Sequence, residues 1–177
     1  MTAAELLPTR PARRHTIATL RPPIDLDLAI KLDCENASGA PSKTGTKVFM
    51  AISALYGDDH NFTHDLESFF WVLFWACVHC NSPGGRRHVS KFEAWNFEST
   101  ENLAKIKKGS VDEEDKFTKE VEENVTTYCT PLIPCVQELR KGVFPRGKRW
   151  LEQDPQLYSR MKFILQRAID SLDAQRQ

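Results

Sequence analysis

The sequence predicts a mainly helical domain with a short strand element, and three observations make that prediction. Ten consecutive apolar residues, Phe69 to Val78, follow a cluster of helix-start residues at Thr63, His64, Asp65 and Glu67. Two later segments repeat their apolar residues at helical spacing: Leu132, Ile133, Val136 and Leu139, then Leu157, Met161, Ile164, Leu165, Ala168 and Leu172. A single stretch, Ile24-Asp25-Leu26-Asp27-Leu28-Ala29-Ile30, alternates with a period of two and reads as a strand. A chain of 177 residues with 41% hydrophobic content fills one sizeable core, so two large domains are not expected.

In chain order, residues 1–23 hold Arg10, Arg13, Arg14 and Arg21, the single acid Glu5, and four prolines at 8, 11, 22 and 23. That composition resists both helix and strand and is expected to be a disordered Arg/Pro-rich arm. In the strand that follows, Ile24, Leu26, Leu28 and Ile30 share one face, and Asp25 and Asp27 lie on the other. Residues 31–46 are small and polar, with breakers at Gly39, Pro41 and Gly45, which predicts a long loop. From Thr63 the pattern turns helical, with Thr63 or His64 placed to cap and Asp65 and Glu67 set against the positive end of the helix dipole. Because this helix is apolar all round, it is expected to be surrounded by protein and to act as the hub of the fold. Asn81-Ser82-Pro83-Gly84-Gly85 ends it, and shorter helices are expected around Thr100–Lys108 and Glu113–Thr127, with amphipathic core helices after Pro131 and over Leu157–Leu172. Residues 173–177 are a tail.

Charge and cysteine content narrow the function. Lys plus Arg and Asp plus Glu number 24 each, so the whole chain offers no argument for a nucleic-acid partner. Five cysteines, at 34, 77, 80, 129 and 135, cannot all pair and lack a regular spacing, which points to a reducing, intracellular compartment. The apolar run of ten residues falls short of the roughly twenty that a membrane span needs. Cys77-x-x-Cys80 has the form of half a zinc site, but the flanking helix and the positions of Cys129 and Cys135 favour packed thiols. The basic, aromatic-flanked stretch Arg140 to Trp150 could touch phosphates, but it reads better as a solvated linker between helices. The histidines are scattered, and no nucleophile with its base is visible.

Three segments together carry a family resemblance: Ile24-Asp25-Leu26-Asp27-Leu28-Ala29, then Thr44-Gly45-Thr46-Lys47-Val48-Phe49-Met50-Ala51, then His64-Asp65-Leu66-Glu67-Ser68-Phe69-Phe70. In order and spacing they resemble the C-terminal lobe of protein kinases, and specifically the fungal-type protein kinase family, strongly over 24–80 and weakly out to 172. The resemblance implies a kinase-like C-lobe over residues 24–172, with a central buried helix. Asp25 falls at the metal-binding Asp of the D-F-G turn, where it would hold Mg²⁺ against nucleotide phosphates; read from alternation alone, it is a solvated acid. Gly45 and Thr46 match the end of the activation segment and would shape a substrate shelf. Met50-Ala51-Ile52-Ser53 falls at A-P-E, with Ser53 in place of the Glu whose buried ion pair usually ties that segment down. Asp65 matches a structural carboxylate near the core that accepts backbone hydrogen bonds from the catalytic loop; as a first-turn acid it is also ordinary dipole compensation.

Within these 177 residues there is no G-x-G-x-x-G loop, no V-A-I-K lysine and no H-R-D-x-x-x-x-N segment before Asp25. The family's ancestral reaction, ATP-dependent phosphorylation of Ser or Thr with Mg²⁺ and ATP, has therefore lost most of its parts, and this chain is expected to be inactive and to bind neither cofactor. The expectation is a truncated fungal-type kinase product. The alternatives are a non-catalytic protein-binding module, with a protein partner at the shelf or at the exposed former N-lobe face, and a fragment of a complete kinase with a missing upstream exon.

Overall fold

The computed structural model describes residues 46–147 and 153–175. Among them are seven α-helices and one antiparallel pair of short strands, so the chain is mainly helical. The strand expected over 24–30, the arm and the first loop lie outside the described residues, as do Asp25 and Gly45. The strands that are described lie elsewhere.

The described chain opens with a 3-10 turn, Lys47–Phe49, and helix α1, Ile52–Tyr56. Gly57 stops α1 in the left-handed region at φ 101°, donating to the Ala54 carbonyl at 3.2 Å while Asp58 N–H reaches Ser53 O at 3.1 Å. A side chain at that φ would be strained, which explains the glycine. Helix α2, Phe62–His79, is capped by Asn61, whose side chain accepts from Thr63 N–H at 2.9 Å. Thr63 and His64, expected at the cap, are instead buried inside the first turn. Any oxygen-bearing residue in the stretch Asp58 to Thr63 could have capped, and the apolar pattern does not fix which of them does.

The helix is not covered on every side. Phe70, Trp71, Phe74, Cys77 and Val78 are buried, but Phe69 is 66% and Val72 45% exposed. The expectation of a helix wholly surrounded by protein is corrected: an outward apolar stripe runs down α2 at three- and four-residue spacing. The buried face is an aromatic cluster. Phe70 meets Phe144 at 5.2 Å and Phe117 at 6.0 Å, Trp71 meets Trp95 at 5.7 Å, and Phe74 meets Phe92 at 5.3 Å between ring centroids, mostly edge to face or tilted.

Where the sequence led us to expect a plain terminator, α2 runs straight into strand β1, Cys80–Ser82, which pairs with β2, Gly85–Arg86, around the turn at Pro83-Gly84. Helix α3, Ser90–Glu93, and a 3-10 turn at Ala94–Asn96 carry Phe92 and Trp95 into the core. Helix α4, Thr100–Asp112, is capped by Ser99 and buries Leu103, Ala104, Lys107 and Val111. Helix α5, Glu114–Asn124, buries Phe117 and Val121. A 3-10 segment, Thr127–Leu132, absorbs Pro131, and helix α6 starts afterwards at Ile133 with Pro134 in its first turn and runs to Val143. Helix α7, Leu157–Ala174, seats Leu157 and Met161 and leaves Tyr158, Phe163 and Ile169 exposed.

The basic stretch from Arg140 is not a linker throughout. Arg140 is a buried residue of α6, whose Nε donates to the Val111 carbonyl at 3.1 Å and whose Nη2 reaches the Asp112 carbonyl at 3.2 Å, tying α6 to the free carbonyls at the end of α4. Gly147, at φ 70°, lies against the same helix end; a Cβ there would fall 1.8 Å from Asp112 O.

Candidate functional site

The segment Thr46–Ser53 contains the part of the predicted shelf that is described. Thr46, exposed, starts the 3-10 turn, and its carbonyl accepts from Phe49 N–H at 2.8 Å. Val48, Ala51, Ile52 and Ser53 are buried, so the segment is anchored along its length. Two charged side chains lie beneath it. Glu67, 3% exposed on the inner face of α2, accepts from Ile52 N–H at 2.7 Å and from Trp71 Nε1–H at 3.0 Å on the same oxygen. Lys107 of α4, with no exposed surface, donates to the Met50 carbonyl at 2.7 Å and lies 4.5 Å from the centre of the Trp71 ring. Burial pushes the Lys107 ammonium down to about 7, against the attraction of Glu67.

Sequence reasoning placed Glu67 among the dipole-compensating acids and did not single out Lys107. A signal was present. Glu67 lies three, four and seven residues before Phe70, Trp71 and Phe74, and Lys107 lies four residues from both Leu103 and Val111, so each charge falls on its helix's apolar stripe.

Beside the segment is an open cleft of about 580 Å³, lined by Phe49, Val72, Trp75 and Ala76, by Arg86, Arg87 and His88 on the hairpin side, and by the acid Glu93. Phe49 stands edge-on to Trp75 at 5.8 Å. His79 stacks on Trp75 at 4.1 Å; its Nδ1 meets the Trp75 carbonyl at 3.0 Å, and its Nε2 lies 3.4 Å from Glu93 Oε1. Arg87 is held by the Val78 carbonyl at 2.9 Å and by the Asn124 carbonyl, which fixes its charge at the lip.

Asp65 stands at the surface, with its carboxylate 3.0 Å from His60 Nε2 in its own entry loop. It is not the buried carboxylate that the kinase correspondence implied; in this fold the buried acid of the helix start is Glu67, two residues on. Among the described residues no group of three His, Cys, Asp or Glu is placed to hold a metal ion. Cys77, Cys80, Cys129 and Cys135 are free thiols. The fold gathers them more closely than their spacing suggested: burial first, then Cys129, Cys135 and Cys80, push the Cys77 thiol far above its usual range. Burial followed by Glu138 raises Cys135 to about 11. Thiols so hard to ionise are packed sulfur and poor nucleophiles.

The segment, the helix start and the cleft all fall near the sequence span that resembled kinases. Residues 21–77 match the fungal protein kinase family. The match covers about a third of the chain and ends inside α2, so it spans the shelf, α1 and most of α2, while the hairpin and all later helices lie beyond it. No curated protein and no solved structure matches the chain.

Proposed function

We propose that this chain is a protein-kinase-like C-lobe that works as a non-catalytic protein-binding module. The observation that carries this reading is the contact of Phe49 with Trp75. It joins the F-M-A segment to α2, so that the shelf and the cleft form one surface. Its floor is apolar and its hairpin lip is cationic, a pairing that suits a protein segment presenting an apolar side chain among carboxylates. The family match over residues 21–77 supports the kinase-like ancestry.

Two measurements test it. Purified chain with Mg-ATP and casein should transfer no phosphate above the buffer rate; turnover that Asp25→Ala abolishes would restore an enzyme. A peptide carrying one phenylalanine among glutamates should change tryptophan fluorescence and lose most of its affinity in Arg86→Glu, whereas the same peptide with lysines for glutamates should not bind. Equal binding of both peptides would remove the charge argument.

A further inference from the structure

Helix α1 has five residues and begins after Ala51, which offers no side-chain cap. Its first amide, that of Ile52, is fully buried and must find an acceptor inside the protein, because an unpaired buried N–H is costly. The acceptor comes from another element, the Glu67 carboxylate of α2. Two residues earlier the Met50 carbonyl, of a partly buried residue, takes its donor from a third element, Lys107 of α4. The short turn Met50–Ile52 is thus held at both ends by side chains of opposite charge from two different helices. Both ties are buried hydrogen bonds, one accepted by a carboxylate 3% exposed and one donated by a lysine nitrogen with no exposed surface, which can donate in either protonation state. Ser53, adjacent to this turn, occupies the position where the resemblance to kinases implies the acid that anchors the segment.

We propose that Glu67 and Lys107 are positioning residues that set the conformation of the Met50–Ile52 turn, and with it the shape of the shelf, from α2 and α4. The clamp itself rests on geometry; its importance for a partner rests on the proposed binding function. Glu67 acts through its oxygen on the Ile52 amide, Lys107 through its nitrogen on the Met50 carbonyl, and the indole of Trp71, which donates to Glu67 and lies against Lys107, keeps the two charges in register.

Hydrogen exchange read by mass spectrometry, with no ligand present, separates this clamp from the binding reading. Glu67→Ala should speed exchange of peptide amides over 47–56 by about tenfold, the scale expected when one buried acceptor is lost, while amides of α6, residues 133–143, change far less. Lys107→Met, which leaves the Met50 carbonyl without its donor, should loosen the same peptide. Glu67→Gln keeps an oxygen for Ile52 and leaves the Lys107 bond to Met50 in place, and should retain protection to within about threefold of the parent. Equal acceleration over the segment and α6, or no acceleration, would overturn the clamp. If Glu67→Ala does not fold, Lys107→Met and Glu67→Gln decide: faster exchange over 47–56 than over 133–143 in the first, with protection in the second, supports the clamp, and equal acceleration of the two segments overturns it.

Discussion

Lys107 has a pH dependence whose sign follows from its burial. Its folded value of about 7 lies below the ordinary 10.5, so between those limits the unfolded chain binds the extra proton and stability rises with pH. That contribution is complete above the unfolded value and is lost as the pH falls through about 7. Urea midpoints followed by tryptophan fluorescence should therefore increase from pH 7 to pH 9, and the increase should flatten in Lys107→Met; an equally steep rise in the variant would assign the effect to another group. Asp65 offers the opposite case. Its carboxylate and the His60 ring are both at least half exposed, so their contact is screened and weak. Asp65→Ala should change the unfolding free energy by no more than about 1 kcal/mol, and a loss several times larger would show that the carboxylate is held as its kinase counterpart is.

At the scale of elements, helix α2 presents one buried and one open apolar face, and substitution should tell them apart. Phe70→Ala removes a ring packed among Phe74, Phe117 and Phe144 and should cost about 3–5 kcal/mol. Phe69→Gln, one residue away but 66% exposed, should fall within about 0.5 kcal/mol of the parent in the same urea titration; similar losses would mean that the outward stripe is covered in solution. The sequence shows that α2 exists, because ten apolar residues behind a polar start leave few alternatives, but it does not show which face is inside, because an all-apolar helix has no polar side to orient it. The period of 3.6 also placed α6 and α7 to within a few residues, and the polar stretch before them held α4 and α5 near where short helices were expected. It missed the hairpin at Cys80–Arg86, whose strands are too short to display an alternation. The clamp was hidden for a related reason: Glu67 and Lys107 are 40 residues apart, and a charge in a first helical turn has an adequate local explanation until a fold puts a second charge beside it.

Over the whole molecule, the span that matches the kinase family and the unit that folds differ. The match ends at residue 77, yet the buried face of α2 is completed by rings that come later: Phe92 and Trp95 from the segment after the hairpin, Phe117 from α5, and Phe144 from the end of α6. Lys107, half of the clamp under the shelf, also lies beyond it. A fragment ending at residue 80 would retain α2 but expose Phe70, Trp71 and Phe74 to water on the side where those partners pack. Burying each of these side chains contributes about 1.5–3 kcal/mol, a large share of the roughly 5–15 kcal/mol by which folded domains are stable. The fragment 1–80 should therefore show no cooperative urea transition in tryptophan fluorescence, whereas the full chain should show one. Restoring residues 81–147, which return all four rings, Lys107 and the Arg140 ties to the end of α4, should recover a cooperative transition with a lower midpoint than the full chain, since Leu157 and Met161 of α7 would still be missing from the core. A fragment 1–80 that unfolds cooperatively would show that the family-matched span is a folding unit in its own right and that the later helices only decorate it.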